Sequence, residues 1–593
     1  MTTLSLLSLL SLIASASAAV PTPAQWASLN FTVGGKLFLG EPLARPCYRK
    51  ATNGTNGRQD SARCKKVTDN YKNTSFIADN FGGYHQTNWG TCQTNGSQCL
   101  LDYYTPDNPF IYENQVCDQG QVPSYYIDVR GASDVQAGLS FAKQYKLPLT
   151  IKNSGHDYKG RSAGAGLALW THNLQYIRMN RGFVPAGCPA SQAKIGVTHG
   201  TGNGFLSLYQ FAEANNITIM GGSSDTVAPG GGWIQGAGHG ALSNMLGLGV
   251  DRALEIKGVL ANGQAFTASR CQNPDIFFAF RGGGGGTFGV ILEHTTAAAP
   301  QMTVQVANIK TGGLDSEGLK KFLRIVIQQS EQWAKDGWGG YIIPGAYTAI
   351  GSGLVMFNTN LNNTQAKASM KPMTDYAGSL GQIALANEVV SSPTFFQAYN
   401  KYILPNQEPV GLGAAVASRF VRKANFQKDR QEELLNAMLK LYNETPSNIY
   451  SSPGVQFGGM PVQILFTTPY NSGPDDGTSS VSPAWRDSIW HTLVGAAFNQ
   501  QANATEIKRL FTAASKAVDN IRAITPPGAY QNEADIFEPT PIESFWGQAN
   551  YDRLVQLKKL YDPDSLLSCW QCIGWQDSDR LNNPKYSCYP RRG

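Results

Sequence analysis

His156 lies in the stretch Ile151-Lys-Asn-Ser-Gly-His-Asp-Tyr-Lys-Gly-Arg-Ser162. A glycine–histidine pair on a loop can do two things at once. Its backbone N–H groups can face an anion such as a pyrophosphate, and its imidazole can bond to an electrophilic ring such as a flavin. The motif alone is loose, so the elements that place it must decide. Residues 126–129 read as a short strand, and Ser133-Asp-Val-Gln136 as a capping box opening a helix to about Tyr145. Residues 147–151 return as a second strand. A crossover of this length can bring the chain back to the same sheet, leaving residues 152–155 at a strand end and His156 on a fixed turn.

A second loop, residues 221–240, is so dense in glycine that backbone must approach something closely there, which suits a large planar or phosphate-bearing ligand, a cluster of glycine turns being the alternative. Within it Gly236-Ala-Gly-His-Gly-Ala241 fits a dinucleotide fingerprint, with Glu255 near the usual acidic offset. The hydrophobic strand that fingerprint needs does not precede it. Two further stretches follow: Leu246-Gly-Leu-Gly-Val-Asp-Arg252 running into residues 254–263, and Asp275-Ile-Phe-Phe-Ala-Phe-Arg-Gly-Gly-Gly-Gly-Gly-Thr-Phe-Gly-Val290. Near the C-terminus stand Phe545-Trp-Gly-Gln-Ala-Asn-Tyr-Asp-Arg-Leu554 and Leu557-Lys-Lys-Leu-Tyr-Asp-Pro-Asp564.

In this order the motifs resemble the vanillyl-alcohol oxidase superfamily, specifically its berberine-bridge-enzyme-like branch. The resemblance spans about residues 118–302 and 540–575. It implies an α+β fold: a two-part FAD-binding PCMH-type domain with an inserted α+β substrate domain. Residue by residue, it makes His156 the covalent attachment point of FAD and Asn153, Ser154 and Gly155 the pyrophosphate loop. Ser224-Asp-Thr-Val227 aligns with the branch's Cys-Pro-Thr-Val. Serine cannot make the second covalent bond that cysteine makes in many members, so attachment through His156 alone is expected. Val227 falls where the family places a small gate for oxygen. Ser162, Gly230, Gly231, Gly236 and Val290 complete the expected cofactor contacts, with Asn550 on the segment that returns over the flavin.

The implied reaction is hydride transfer from an alcohol or phenolic small molecule to flavin, with molecular oxygen as the second substrate and hydrogen peroxide as product. Alcohol oxidation needs a base; His239 and Tyr551 are the candidates. A flavin-dependent dehydrogenase or oxidative cyclase, and a secreted glycoprotein that keeps flavin without catalysis, are the alternatives.

The 593 residues, 42% of them hydrophobic, suffice for several domains. The expected division is a signal peptide at 1–18, a Cys- and sequon-rich extension at 19–117, the FAD domain at 118–302, the substrate domain at 303–500 and a returning segment at 501–593. A net charge of +6 without a long basic run argues against nucleic acid. Residues 4–13 form an apolar run ending in Ala14-Ser-Ala-Ser-Ala18, which reads as a cleaved secretion signal and is too short to span a membrane. Sequons begin at Asn30, Asn53, Asn73, Asn95, Asn216, Asn362 and Asn503, and at Asn443, where the proline after Glu-Thr weakens acceptance. Several are expected to carry N-glycans. All ten cysteines follow the signal, and in an oxidising compartment disulfides are the default, for Cys569-Trp-Gln-Cys572 as well. No zinc-ligand spacing is present, so no metal is expected.

In the substrate domain, helical periodicity predicts helices over 316–335 and 431–442, and strands over 346–350, 353–357 and 462–466; a further amphipathic helix is predicted over 505–521, in the returning segment. The helices should cover one face of a sheet whose other face roofs the flavin.

Overall fold

The computed structural model describes residues 20–52, 59–345, 352–445, 462–576 and 586–592. The expected signal peptide, Asn53 and the strand expected at 346–350 lie outside the described residues.

The crossover around His156 forms as a βαβ unit. Strands Tyr125–Asp128 and Leu149–Lys152 both pair in parallel with Leu167–Trp170, and the helix Ala132–Tyr145 connects the first two. Ser133 does not cap that helix. Gly131 is the N-cap with no side-chain bond, and Asp134 instead accepts from the Arg130 backbone N–H at 2.8 Å. The N-terminal extension joins this sheet, because Leu37–Leu39 pairs antiparallel with Tyr125–Asp128. A second, five-stranded sheet runs Ala265–Ser269, Ala253–Leu260, Gly289–Ala297, Lys194–Gly200, Ile177–Phe183, antiparallel throughout.

The substrate domain is a seven-stranded antiparallel sheet, ordered Ala384–Ser392, Val304–Thr311, Gly353–Asn358, Gly339–Ile343, Gln463–Phe466, Ser488–Phe498, Gly413–Arg422. Helices Ser316–Asp336, Asn363–Ser379, Gln431–Glu444 and Ala504–Arg522 contribute to the core that covers one face. The ends of the first are set by chemistry that the sequence carries: Asp315 accepts from Gly318 N–H, and Gly337 takes φ +96° at the C-cap. The last of the four was expected in the returning segment; Ala514, Ala517, Val518 and Ile521 pack it into the substrate-domain core.

The pleat divides this sheet between core and ligand. Ile342, Ile464, Phe466 and Val494 point into the helix-covered core, while their neighbours Tyr341, Ile343, Gln463, Leu465 and Leu493 face a cavity shared with the FAD domain.

All ten cysteines form disulfides: Cys47–Cys64, Cys99–Cys117, Cys188–Cys271, Cys569–Cys572, and Cys92–Cys588, which ties the N-terminal extension to the C-terminal tail. Among the described residues no helix is long and apolar enough to cross a membrane.

Candidate active site

The cavity has a volume of about 550 Å³ and lies between the two glycine-rich loops, the seven-stranded sheet and the segment 530–533. Of the residues read from sequence it brings together Asn153, Ser154, Gly155, His156, Ser162, Ser224, Val227, Gly230, Gly231 and His239 on its walls. Glycine is required at 155, where φ is +92° and a Cβ would sit 2.7 Å from the Gly83 carbonyl oxygen. Gly230 lets the second loop rest on Thr201, while Asn153 Nδ2 donates to the Thr201 carbonyl at 2.6 Å.

Four expected residues lie off the wall. Val290 is on the wrong parity of its strand: Gly289 and Ile291 face the cavity and Val290 is buried in the βαβ core. Gly236 is one layer behind, where its missing side chain makes room for that of Asn532, which does line the cavity. Asn550 donates to the Val481 carbonyl at 3.0 Å, and Tyr551 packs on Trp546 while its hydroxyl accepts from Gly574 N–H at 3.3 Å. Tyr551 is therefore placed to brace the fold and not to take a substrate proton. The chain that covers the cavity is Tyr530, Asn532 and Glu533, ahead of the helix Gln548–Tyr561 that carries Asn550 and Tyr551. Glu255, the acidic residue of the rejected fingerprint, is engaged by Ala186 N–H.

Two carboxylates absent from the sequence reading face the cavity. Glu408 accepts from Tyr158 Oη at 2.6 Å and from Gln463 Nε2 at 2.6 Å. It lines the cavity, and desolvation pushes its carboxyl above the usual range despite these two donors. Burial and the Glu408 charge drive the Tyr158 hydroxyl well up. Glu533 is the opposite case. Burial alone would raise its carboxyl, but His239 (3.2 Å) and His491 (2.8 Å) donate to it through Nε2 and hold it below the usual range. Nδ1 of both rings is buried without a partner among the described residues, as befits the Nε2–H tautomer. The three groups put their ligand atoms within 4.8 Å of one another, a convergence that the linear spacing does not reveal.

Two carboxylates with environments that push them apart divide the work: Glu533 is held as an anion, and Glu408 is the more readily protonated of the two. Tyr158 sat in the first motif and was passed over; Glu408, Gln463 and Glu533 have no local signature.

The walls also hold polar atoms that the protein leaves open. Asn153 Oδ1, Gln235 Oε1 and Arg161 Nε and Nη2 are buried with no partner among the described residues. Each such group left unpaired costs about 1–3 kcal/mol. A ligand bearing both donors and acceptors would satisfy them, and the isoalloxazine and diphosphate of FAD carry both.

Residues 123–269 match the FAD binding domain family, and residues 529–574 the berberine and berberine-like family. FAD-linked oxidoreductase ffsJ of Aspergillus flavipes is 35% identical over 578 residues, 93% of this chain and 92% of that protein. The bifunctional decalin synthase calF of Penicillium decumbens is 28% identical over 571 residues, 93% of this chain and 91% of that protein. Among solved structures, the VAO-type flavoprotein MtVAO615 from Myceliophthora thermophila C1 has the same fold, with a TM-score of 0.79 at 24% identity, covering 94% of this chain and 96% of that one. The fold is the one seen in that VAO-type flavoprotein, and the matched families define an FAD-binding, berberine-like protein. The chain belongs to the berberine-bridge-like FAD-linked oxidoreductases and is an enzyme of that family.

Proposed function

We propose that this protein is a secreted oxidase that carries FAD covalently on His156 and oxidises an alcohol or phenolic small molecule with molecular oxygen. One observation carries the reading: the His156 loop and the Glu408–Tyr158 pair border the same cavity. Bound FAD supplies the two-electron acceptor, taking hydride from the substrate carbon and passing the electrons to oxygen as hydrogen peroxide.

The chain's own residues do the rest. Asn153 to Gly155 would hold the diphosphate, and Arg161, Gln235 and Asn532 would offer polar atoms to the ring system. His156 Nε2 is already engaged by Thr226 Oγ1 at 2.8 Å and Ser224 Oγ at 3.3 Å, so Nδ1 is the nitrogen left for a bond to flavin. Burial and the nearby Lys152 charge lower His156 to about 3, which keeps it an unprotonated nucleophile. Ser224 stands where the branch has cysteine, so one bond is expected. Tyr341, Leu465 and Leu493 give the roof an apolar surface for a substrate body, and Gln463 and Glu408 give it polar contacts. Glu408, hydrogen-bonded to Tyr158, takes the hydroxyl proton as hydride leaves. The Glu533 anion, fixed by two histidines, faces the positive charge that develops on the oxidised carbon.

Secretion and N-glycosylation are supported by the apolar run at 4–13, by five disulfides, and by sequon asparagines at exposed positions, Asn73, Asn95, Asn216, Asn362 and Asn503. Asn73, Asn362 and Asn503 cap helices through Oδ1, which leaves Nδ2 free for a glycan.

The name of calF favours a second reading, an oxidative cyclase or dehydrogenase on the same scaffold. Attachment is tested by tryptic digestion of the purified protein. A single flavopeptide containing His156, and release of flavin on acid precipitation of His156→Ala, are expected. A flavopeptide lacking His156, or flavin retained by the variant, overturns it.

A further inference from the structure

His85 belongs to the N-terminal extension, outside the matched FAD-domain residues, yet it is fully buried against the attachment loop. Its backbone N–H donates to the Gly155 carbonyl at 3.1 Å, and Gly411 N–H donates to its carbonyl at 3.0 Å. Its ring stacks on His156 at 3.6 Å between centroids and 13° between planes. Its Nε2 lies 3.1 Å from the Thr74 carbonyl oxygen and 3.1 Å from Thr226 Oγ1, and Thr226 Oγ1 in turn lies 2.8 Å from His156 Nε2.

The carbonyl of Thr74 only accepts, so His85 carries its proton on Nε2. Its Nδ1 is buried without a partner, where a lone pair costs less than a stranded N–H. Facing Thr226 Oγ1, Nε2 of His85 can only donate, sharing its one N–H with the Thr74 carbonyl, so the hydroxyl proton of Thr226 is not committed to His85. A hydroxyl suits this position because it both donates and accepts. Before attachment the attacking tautomer of His156 bears its proton on Nε2, and Thr226 accepts from it; after Nδ1 has bonded to carbon, Nε2 is bare, and Thr226 donates to it. Lys152, whose Nζ is buried without a partner, sits over Tyr84 at 4.9 Å and opposes any positive charge on either ring.

We infer that His85 and Thr226 are positioning residues for covalent flavin attachment: the extension clamps the His156 ring by stacking and fixes its Nε2, so that Nδ1 alone is presented to the flavin 8α-methyl carbon. The inference rests on the proposed attachment through His156. In the step, one methyl C–H bond breaks and a C–N bond to Nδ1 forms. The two electrons of the broken bond stay in the flavin, and the methyl proton and the imidazole proton balance its two-electron reduction. Molecular oxygen then takes two electrons and two protons as hydrogen peroxide, leaving oxidised, attached flavin.

The experiment adds FAD to flavin-free protein and follows acid-stable flavin over time in the parent, Thr226→Val, Thr226→Ser and His85→Ala, with reversible FAD binding measured in each. Attachment about tenfold slower or more is expected for Thr226→Val and His85→Ala, the loss that one hydrogen bond accounts for. Reversible FAD binding should be retained in both, and Thr226→Ser should attach near the parental rate. A structural role alone would not be rescued by serine while leaving FAD binding intact. Thr226→Val attaching at the parental rate overturns the inference. A parent that never forms acid-stable flavin overturns the attachment reading itself, and the inference with it. If His85→Ala fails to fold, the valine–serine pair at 226 decides alone.

Discussion

Glu408→Gln isolates the charge of the proposed base from its contacts. In the parent, one carboxylate oxygen accepts from Tyr158 and the other from Gln463, both at 2.6 Å. Glutamine keeps the shape: its carbonyl accepts from Tyr158, and a flip of the Gln463 amide turns an acceptor toward the new NH₂. What is lost is the ability to hold the substrate proton. General-base removal costs about 10²–10⁴ in rate, equivalent to about 3–5 kcal/mol of barrier at ~1.36 kcal/mol per decade. The assay is anaerobic stopped-flow reduction of the flavin, using any alcohol or phenol from a panel that bleaches the parent. The parental rate constant should rise with pH through a carboxyl group titrating above the ordinary glutamate value of about 4.3, since burial raises Glu408. The variant should lose both that limb and the rate. Reduction within about tenfold of the parent, with the pH limb intact, would refute Glu408 as the base.

Val227 lines the cavity beside Ser224, and Val227→Leu should slow reoxidation of photoreduced flavin several-fold while leaving reduction by substrate nearly unchanged; equal oxygen rate constants would remove Val227 as the gate. Stability should be lost in acid before the carboxylates are involved. Burial lowers His85, His156, His172, His199, His294 and His491 in the folded chain, while the unfolded chain binds protons at about pH 6.5. The unfolded state thus holds more protons below that pH, so stability is complete above it and falls as the pH drops. The thermal midpoint of the flavin-free protein at about pH 5 should lie below that at about pH 7, and His156→Ala should shrink the difference.

Local chemistry made the attachment loop readable. A glycine that must take positive φ, a histidine at a strand end and the order of the glycine-rich segments are all carried by neighbours in sequence, and helices such as Ser316–Asp336 announce themselves by period. The reactive pair was not readable, because Tyr158 and Glu408 stand 250 positions apart and meet only through the fold. Val290 was misplaced by one residue of strand parity, which the glycine run before it leaves undetermined. Asn550 and Tyr551 were misplaced because the returning segment covers the cavity with irregular chain at 530–533, which has no periodicity to mark it. His85 was invisible because nothing in residues 74–91 reads as part of a flavin site until the extension docks on Gly155.

The central claim is that this cavity oxidises a small molecule with oxygen as the acceptor. The most direct measurement mixes the parent with a substrate that reduces its flavin, under air, and counts hydrogen peroxide against substrate consumed. The account predicts one peroxide per substrate and a return of the oxidised flavin spectrum; flavin that is reduced and stays reduced in air, with turnover only on addition of an artificial electron acceptor, would contradict it.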